Sequence, residues 1–120
     1  MSAQSSTLAQ RYRVWLTAAI VALITLVIFV PALDNEFVNW DDDLNFIYNL
    51  NYRGLGLEQL KWMFTTFHMG HYHPLTWITL GMDYCICQMN PWGYHLTNVV
   101  LHAATVAVFV FLALQLYRIV

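Results

Sequence analysis

Two stretches that lack any charged side chain constrain the fold of this chain more than any other feature. They cover residues 14–33 and 96–117. At 1.5 Å per residue, twenty helical residues extend about 30 Å, which matches the hydrocarbon core of a bilayer. Only 10% of the 120 residues are charged and 59% are apolar, whereas soluble domains are roughly 25% charged. We therefore predict an all-α membrane protein with two transmembrane helices.

The charges beside the first stretch predict its orientation. Arg11 and Arg13 precede it and Asp34 follows it. Because basic flanks favour the cytoplasmic side of a membrane, residues 1–13 should be cytoplasmic.

The second stretch predicts the same arrangement, since Arg118 closes it and places residues 118–120 in the cytoplasm. Residues 34–95 then form one external loop. We expect a bacterial inner membrane, with this loop in the periplasm.

The alternative for the first stretch is a cleaved signal peptide, because Val30 and Ala32 suit a cleavage site. However, the usual apolar region of a signal peptide has only about 7–15 residues.

The charge balance and the cysteines exclude some partners. A net charge of −2 without any run rich in Lys or Arg predicts no nucleic-acid partner. Cys85 and Cys87 are one residue apart and point in different directions on a helix, so we expect free thiols. Membrane lipid is the first partner that the composition predicts.

The external loop does not have the composition of a linker. Disordered linkers are poor in aromatic residues, but this loop holds Trp40, Trp62, Trp77 and Trp92. Tryptophan favours membrane–water interfaces, so we predict a folded loop that lies against the membrane.

Three short helices are predicted in this loop. The first begins at the acidic residues that follow Trp40 and ends before Asn51. The second covers residues 57–67, where one face carries Leu57, Leu60, Met63, Phe64 and Phe67. The third follows Pro74, and its apolar stripe consists of Leu75, Ile78, Met82, Cys85, Ile86 and Met89.

Three of the seven acidic residues stand in a row directly after Trp40: Asp41, Asp42 and Asp43. One interpretation is that they cap the next helix, whose positive end favours acids. In the other, one carboxylate takes a proton from an acceptor hydroxyl, or the group holds a divalent cation. Trp40 would then shield the site or stack on a sugar ring.

Histidines at positions 68, 71 and 73 have a spacing that resembles a metal site. No cysteine lies nearby and a proline turn follows, so interfacial hydrogen bonding is the alternative. The imidazoles could also help Lys61 and Arg53 to hold a phosphate. A metal-sensing loop therefore stays open as a function.

The second span carries polar groups on one face: His95, Asn98 and His102. Polar groups are costly towards lipid, so this face should meet protein or a wet cavity. The first span offers only Thr17 and Thr25. We therefore expect further transmembrane helices outside this chain to be its partners.

The order of four segments, FVNWDD, LEQLKWMF, HYHPLTW and NPWGYHLTNVVLHA, resembles the N-terminal part of the multi-span glycosyltransferases of the GT-C type. It is most similar to the group with tetratricopeptide repeats, which is related to the eukaryotic transmembrane O-mannosyltransferases. The resemblance covers about residues 12–118.

This resemblance implies an enzyme that transfers a sugar from a polyprenyl-phosphate carrier to an acceptor hydroxyl on the outer face. It implies that the catalytic carboxylates are Asp41 and Asp42. It also implies a substrate-binding set of Trp40, His73, His95, Asn98 and His102.

Members of that group continue through many more spans. The resemblance thus implies that a chain of this length is an N-terminal fragment, inactive alone. A non-catalytic two-span protein whose aromatic loop binds a partner is the alternative function.

Overall fold

The structure, a computed structural model, describes residues 2–117, with side chains from Gln10 onward. Within this range the chain is helical and has no β-strand, and its α-helices are α1 (Ser2–Phe29), α2 (Leu57–Thr65), α3 (Pro74–Cys87) and α4 (Pro91–Leu116). Two segments, Gln10–Asp34 and Pro91–Leu116, are long and apolar enough to cross a membrane. The all-α fold with two candidate spans is confirmed, while Arg118 lies outside the described residues.

The chain divides into two compact units. The span unit contains α1 and the chain as far as Ala32 together with α4 from Asn98, and the loop unit is residues 33–97. The helix α4 begins at Pro91, upstream of the predicted start of the second span at Leu96.

The first span ends in a tighter turn than an α-helix. After Phe29 the chain continues as a 3₁₀ helix over Val30–Asp34. Pro31 has no backbone N–H and cannot extend the α-helical ladder of hydrogen bonds. The proline therefore lies where the α-helix changes to the tighter turn.

Small and branched side chains pack the two helices of the span unit together. Val14, Ala18 and Ala103 are buried, and small residues let helices approach closely in a membrane. The rings of Trp15 and Phe111 lie 4.6 Å apart between centroids. Most of the remaining apolar surface of both spans is exposed, as lipid contact requires.

An aromatic core holds the loop unit together. Tyr52, Met63 and Trp77 are fully buried, and Tyr94 joins them. The hydroxyl oxygens of Tyr52 and Tyr94 are 3.1 Å apart and share a hydrogen bond. This core explains why a loop of this length folds: it buries large aromatic side chains, and the two tyrosine hydroxyls are paired.

The three short helices predicted in the loop are all present. The first is a five-residue π-helical turn, Asp43–Ile47, and the others are α2 and α3. On α2 only Met63 of the predicted apolar face is buried, while Leu57 and Phe64 are exposed.

The predicted apolar stripe of α3 is not its core face. Leu75 and Ile86 are 74% and 77% exposed, whereas Trp77 and Gly81 are buried. Because Gly81 has no side chain, the backbone at Gly54 can approach α3 closely. A Cβ at position 81 would lie 2.8 Å from the carbonyl oxygen of Gly54. The large Trp77 ring and this close approach decide which face packs inward.

Candidate functional site

The three neighbouring acids have different surroundings. Oδ2 of Asp42 accepts a hydrogen bond of 2.9 Å from the backbone N–H of Val38. Oδ1 of Asp43 accepts one of 2.9 Å from the N–H of Leu44. Asp41 is exposed, and its carboxylate bonds to no residue in the described part of the chain. Of the three carboxylates, Asp41 is therefore the one that is free to meet a ligand.

The short helix behind the acids is fixed by aromatic contacts. The ring of Phe46 stacks on Phe37, with centroids 5.4 Å apart. It also lies 5.6 Å from the ring of Tyr94. Because Phe46 packs into the core, the acids at the start of the turn are held at the edge of a rigid unit.

The interpretation that these acids cap the following helix agrees with the position of Asp42 but not with its hydrogen bonds. Asp42 occupies the N-cap position of the turn, but its side chain makes no capping hydrogen bond to the helix. The side chain of Asp43 accepts a hydrogen bond only from the next residue. Among the described residues no group of three or more His, Cys, Asp or Glu side chains could hold a metal ion, so the three carboxylates do not form such a cage.

Trp40 leaves its indole open beside the acids. The side chain is 82% exposed, and its backbone N–H donates to the carbonyl of Val38 at 2.9 Å. The backbone of Trp40 is thus fixed by the same segment that binds Asp42. The indole of Trp40, one residue before the free carboxylate of Asp41, is therefore exposed and open to a ligand.

His73 supports α3 and has no contact with the acids in the described residues. Its ring stacks on Trp77 at 5.4 Å between centroids. Its carbonyl accepts a hydrogen bond of 3.1 Å from the N–H of Thr76. Within the loop unit His73 therefore supports the start of α3.

The other two loop histidines form a backbone pair. His68 and His71 exchange hydrogen bonds of 3.1 and 2.9 Å across a tight turn in which Met69 and Gly70 have positive φ. The ring of His68 lies against Trp62 at 5.8 Å. The rings of His71 and His73 lie 5.9 Å apart, but among the described residues no group of three or more His, Cys, Asp or Glu could hold a metal ion, so the metal-site alternative has no geometric support there.

The two cations suggested for a phosphate have different environments. Arg53 is engaged with the protein, since its Nη2 donates to the carbonyl of Ile47 at 2.8 Å. Lys61 is exposed and lines an open groove of about 350 Å³ with Glu58 and Trp62. Only Lys61 is free for a polar ligand.

The predicted polar face of α4 is divided between the two units. His95 belongs to the loop unit, and its Nε2 is buried without a hydrogen-bond partner among described residues. Asn98 and His102 belong to the span unit and are exposed. The ring of His102 meets Phe29 edge-on at 4.9 Å, and the side chain of Asn98 bonds to no described residue.

The hydroxyl protons of Thr17 and Thr25 are used within α1. Thr17 and Thr25 each donate to a carbonyl four residues earlier in α1, at 2.9 Å. Thr side chains commonly bond back in this way in helices. Neither of these hydroxyls donates a hydrogen bond to Asn98 or His102.

Sequence reasoning gave no role to Asp83. This residue is only 6% exposed, and its Oδ1 accepts a hydrogen bond of 2.6 Å from the hydroxyl of Thr97. Burial raises the pKa of the Asp83 carboxyl above its usual value, and the bond from Thr97 lowers it by less. Asp83 is the only charged residue of α3, and this isolation in the sequence is the feature that could have drawn attention to it.

The two apolar helices support an integral membrane protein, and part of the chain is similar to a named transferase. A stretch of 38 residues is 45% identical to "Protein O-mannosyl-transferase TMTC2" of Mus musculus, and the same figures hold for the Homo sapiens protein. The match covers 32% of this chain and 4% of each relative, so the chain spans a small part of their length. This is a similarity to a membrane transferase of the glycosyltransferase class.

No family model matches the chain. No solved structure matches it either.

Proposed function

We propose that this chain belongs to a membrane glycosyltransferase that transfers a sugar from a polyprenyl-phosphate carrier to an acceptor hydroxyl outside the cytoplasm. One observation carries the proposal: Asp41 is exposed and unbonded beside the open indole of Trp40, while Asp42 is bound by Val38. The similarity of 38 residues to named O-mannosyl-transferases supports the reaction class.

In this proposal Asp41 is the general base. Its carboxylate takes the proton of the acceptor hydroxyl as the oxygen attacks the anomeric carbon of the sugar. The bond between that carbon and the phosphate oxygen breaks, and polyprenyl phosphate leaves with the electron pair. Trp40 covers one face of the sugar, and Asp42 keeps the backbone around Asp41 in place through Val38.

The orientation of the chain is part of the same proposal. Arg11 and Arg13 lie at the start of the Gln10–Asp34 span and favour the cytoplasmic side. The loop unit and Asp41 would then face the compartment opposite the cytoplasm, where a lipid-linked sugar donor is used.

Further transmembrane helices are the proposed partners of the span unit. Asn98 is exposed and unbonded, and His102 is exposed. Hydrocarbon offers no hydrogen bond to either side chain, so a helix with a polar side chain should cover them. These helices would also supply the groove for the lipid carrier.

A transfer assay tests the proposed function. Membranes from cells that express the protein together with its partner helices would be incubated with radiolabelled polyprenyl-phosphate mannose and, separately, polyprenyl-phosphate glucose, together with Ser/Thr-containing acceptor peptides. We expect peptide labelling with one of these donors that is absent in membranes without the protein. Equal labelling in both membranes would contradict the function and leave the partner-binding alternative.

A further inference from the structure

We propose that Arg53 is the positioning residue of the acidic turn, which we define as Asp43–Ile47 with Asp41 and Asp42 before it. The proposal rests on the proposed function insofar as Asp41 is the base. Nη2 of Arg53 donates to the carbonyl oxygens of Ile47 at 2.8 Å and Phe46 at 3.2 Å.

The acidic turn needs such support because it is too short to stand alone. Its π-type backbone bond runs from the N–H of Tyr48 to the carbonyl of Asp43, at 2.8 Å. A single helical turn fixes many dihedral angles for one hydrogen bond, which is unfavourable. The last carbonyls of any helix also lack partners within it. Arg53 supplies donors for two of these carbonyls.

Arg53 is itself held by α3. Its guanidinium carbon lies 5.5 Å from the centre of the Tyr84 ring, a distance at which a cation is attracted to an aromatic face. Its Nε atom is buried and has no partner among the described residues. The guanidinium therefore joins the C-terminal end of the acidic turn to α3.

The acidic turn is thus fixed at both ends. At its start, Val38 bonds to Asp42, and at its end, Arg53 bonds to Phe46 and Ile47. Removing either contact lets the turn tilt and moves Asp41. A displacement of about 1 Å in a reacting group can cost on the order of 10²-fold in rate.

Hydrogen exchange tests this role without any need for transfer activity. Three variants would be compared with the parent protein in membranes or detergent: Arg53→Met, Arg53→Lys, and Lys61→Met as a control that removes an exposed cation from the same unit. For Arg53→Met we expect amide exchange at Tyr48 to rise at least about tenfold, with α2 amides unchanged. Arg53→Lys should recover part of the protection, because an ammonium group can still donate to carbonyls but does not stack like guanidinium.

Two results would overturn the proposal. One is unchanged exchange at Tyr48 in Arg53→Met. The other is an equal rise of amide exchange in the acidic turn and in α2, which would mean that Arg53 stabilises the whole loop unit and not the turn in particular.

Where transfer is detected, Arg53→Met should lower kcat with little change in KM. A failed transfer assay would count against the function of Asp41 and leave the exchange result intact.

Discussion

The backbone N–H of Val38 lies 2.9 Å from Oδ2 of Asp42, and this bond separates the roles of two neighbouring acids. It holds the Asp42 carboxylate in the turn, while the Asp41 carboxylate stays exposed and unbonded. Two identical side chains next to each other in the sequence therefore have different uses. The proposed catalytic role belongs to Asp41 and the positioning role to Asp42.

The role of Asp42 can be tested by two substitutions of different chemistry. An asparagine at this position still offers a side-chain oxygen to the N–H of Val38, whereas an alanine offers none. We expect Asp42→Asn to stay within about tenfold of the parental rate and Asp42→Ala to lose more than about tenfold, because a hydrogen bond to a charged group contributes roughly 1.5–3 kcal/mol. Initial rates at saturating donor would measure this, and equal rates for both variants would contradict it.

Gly81 should be intolerant of a side chain. A Cβ at this position would lie 2.8 Å from the carbonyl oxygen of Gly54 and 2.9 Å from Cε of Met63. We expect Gly81→Ala to cost about 1–3 kcal/mol, as overpacking does, measured by thermal unfolding in detergent.

The matched control is Gly56→Ala. Its Cβ would meet only the flexible end of Gln59, but Gly56 is the N-cap of α2, where Ala is less favourable than Gly, so a smaller loss of about 0.5–1 kcal/mol is expected. If Gly81→Ala unfolded at the same temperature as the parent, the close packing of α3 on the Gly54 backbone would be wrong.

Asp83 should make stability depend on pH. Its carboxyl has a raised pKa in the folded protein because it is buried. Its stabilising contribution is therefore present when it is protonated and is lost as pH rises through the folded-state pKa. We expect Asp83→Asn to gain stability relative to the parent over the pH range that begins at about 4, the ordinary pKa of an Asp carboxyl, and extends up to the raised pKa of the folded protein.

The measurement for Asp83 is the difference in unfolding temperature between variant and parent at each pH. Glu58→Gln removes an exposed carboxylate and serves as the control, with a difference that should change less with pH. A constant difference for Asp83→Asn across this range would show that burial does not shift the titration of Asp83.

The orientation of the loop unit can be measured by a reporter. We expect a reporter inserted after Leu60, in α2, to score as external, because Arg11 and Arg13 favour a cytoplasmic N-terminus. Alkaline phosphatase and green fluorescent protein fusions at the same site give opposite signals. A cytoplasmic score would place Asp41 on the wrong side of the membrane for the proposed reaction.

The sequence predicted the spans and the short helices well because these depend on local signals. Runs without charge and a proline at Pro74 are visible without knowing what packs against them. The core face of α3 was not predictable from its apolar stripe, because burial there depends on Trp77 and on the approach of the Gly54 backbone to Gly81.

The roles of the individual site residues could not be predicted from the sequence either, because they also depend on contacts with other segments. The acids stand out in the sequence, but only the position of Val38 distinguishes Asp42 from Asp41. Likewise, Arg53 suggested a phosphate ligand in sequence, and its bonds to Phe46 and Ile47 give it a structural use instead. Contacts between distant or separately folded segments carry no local pattern.

The most direct test of the central claim is the rate of sugar transfer by Asp41→Asn beside Asp42→Asn in the same membranes. The account predicts that Asp41→Asn lowers the rate by about 10²–10⁴-fold, the usual contribution of a general base, while Asp42→Asn stays within about tenfold of the parent. Transfer at the full parental rate by Asp41→Asn would contradict the account.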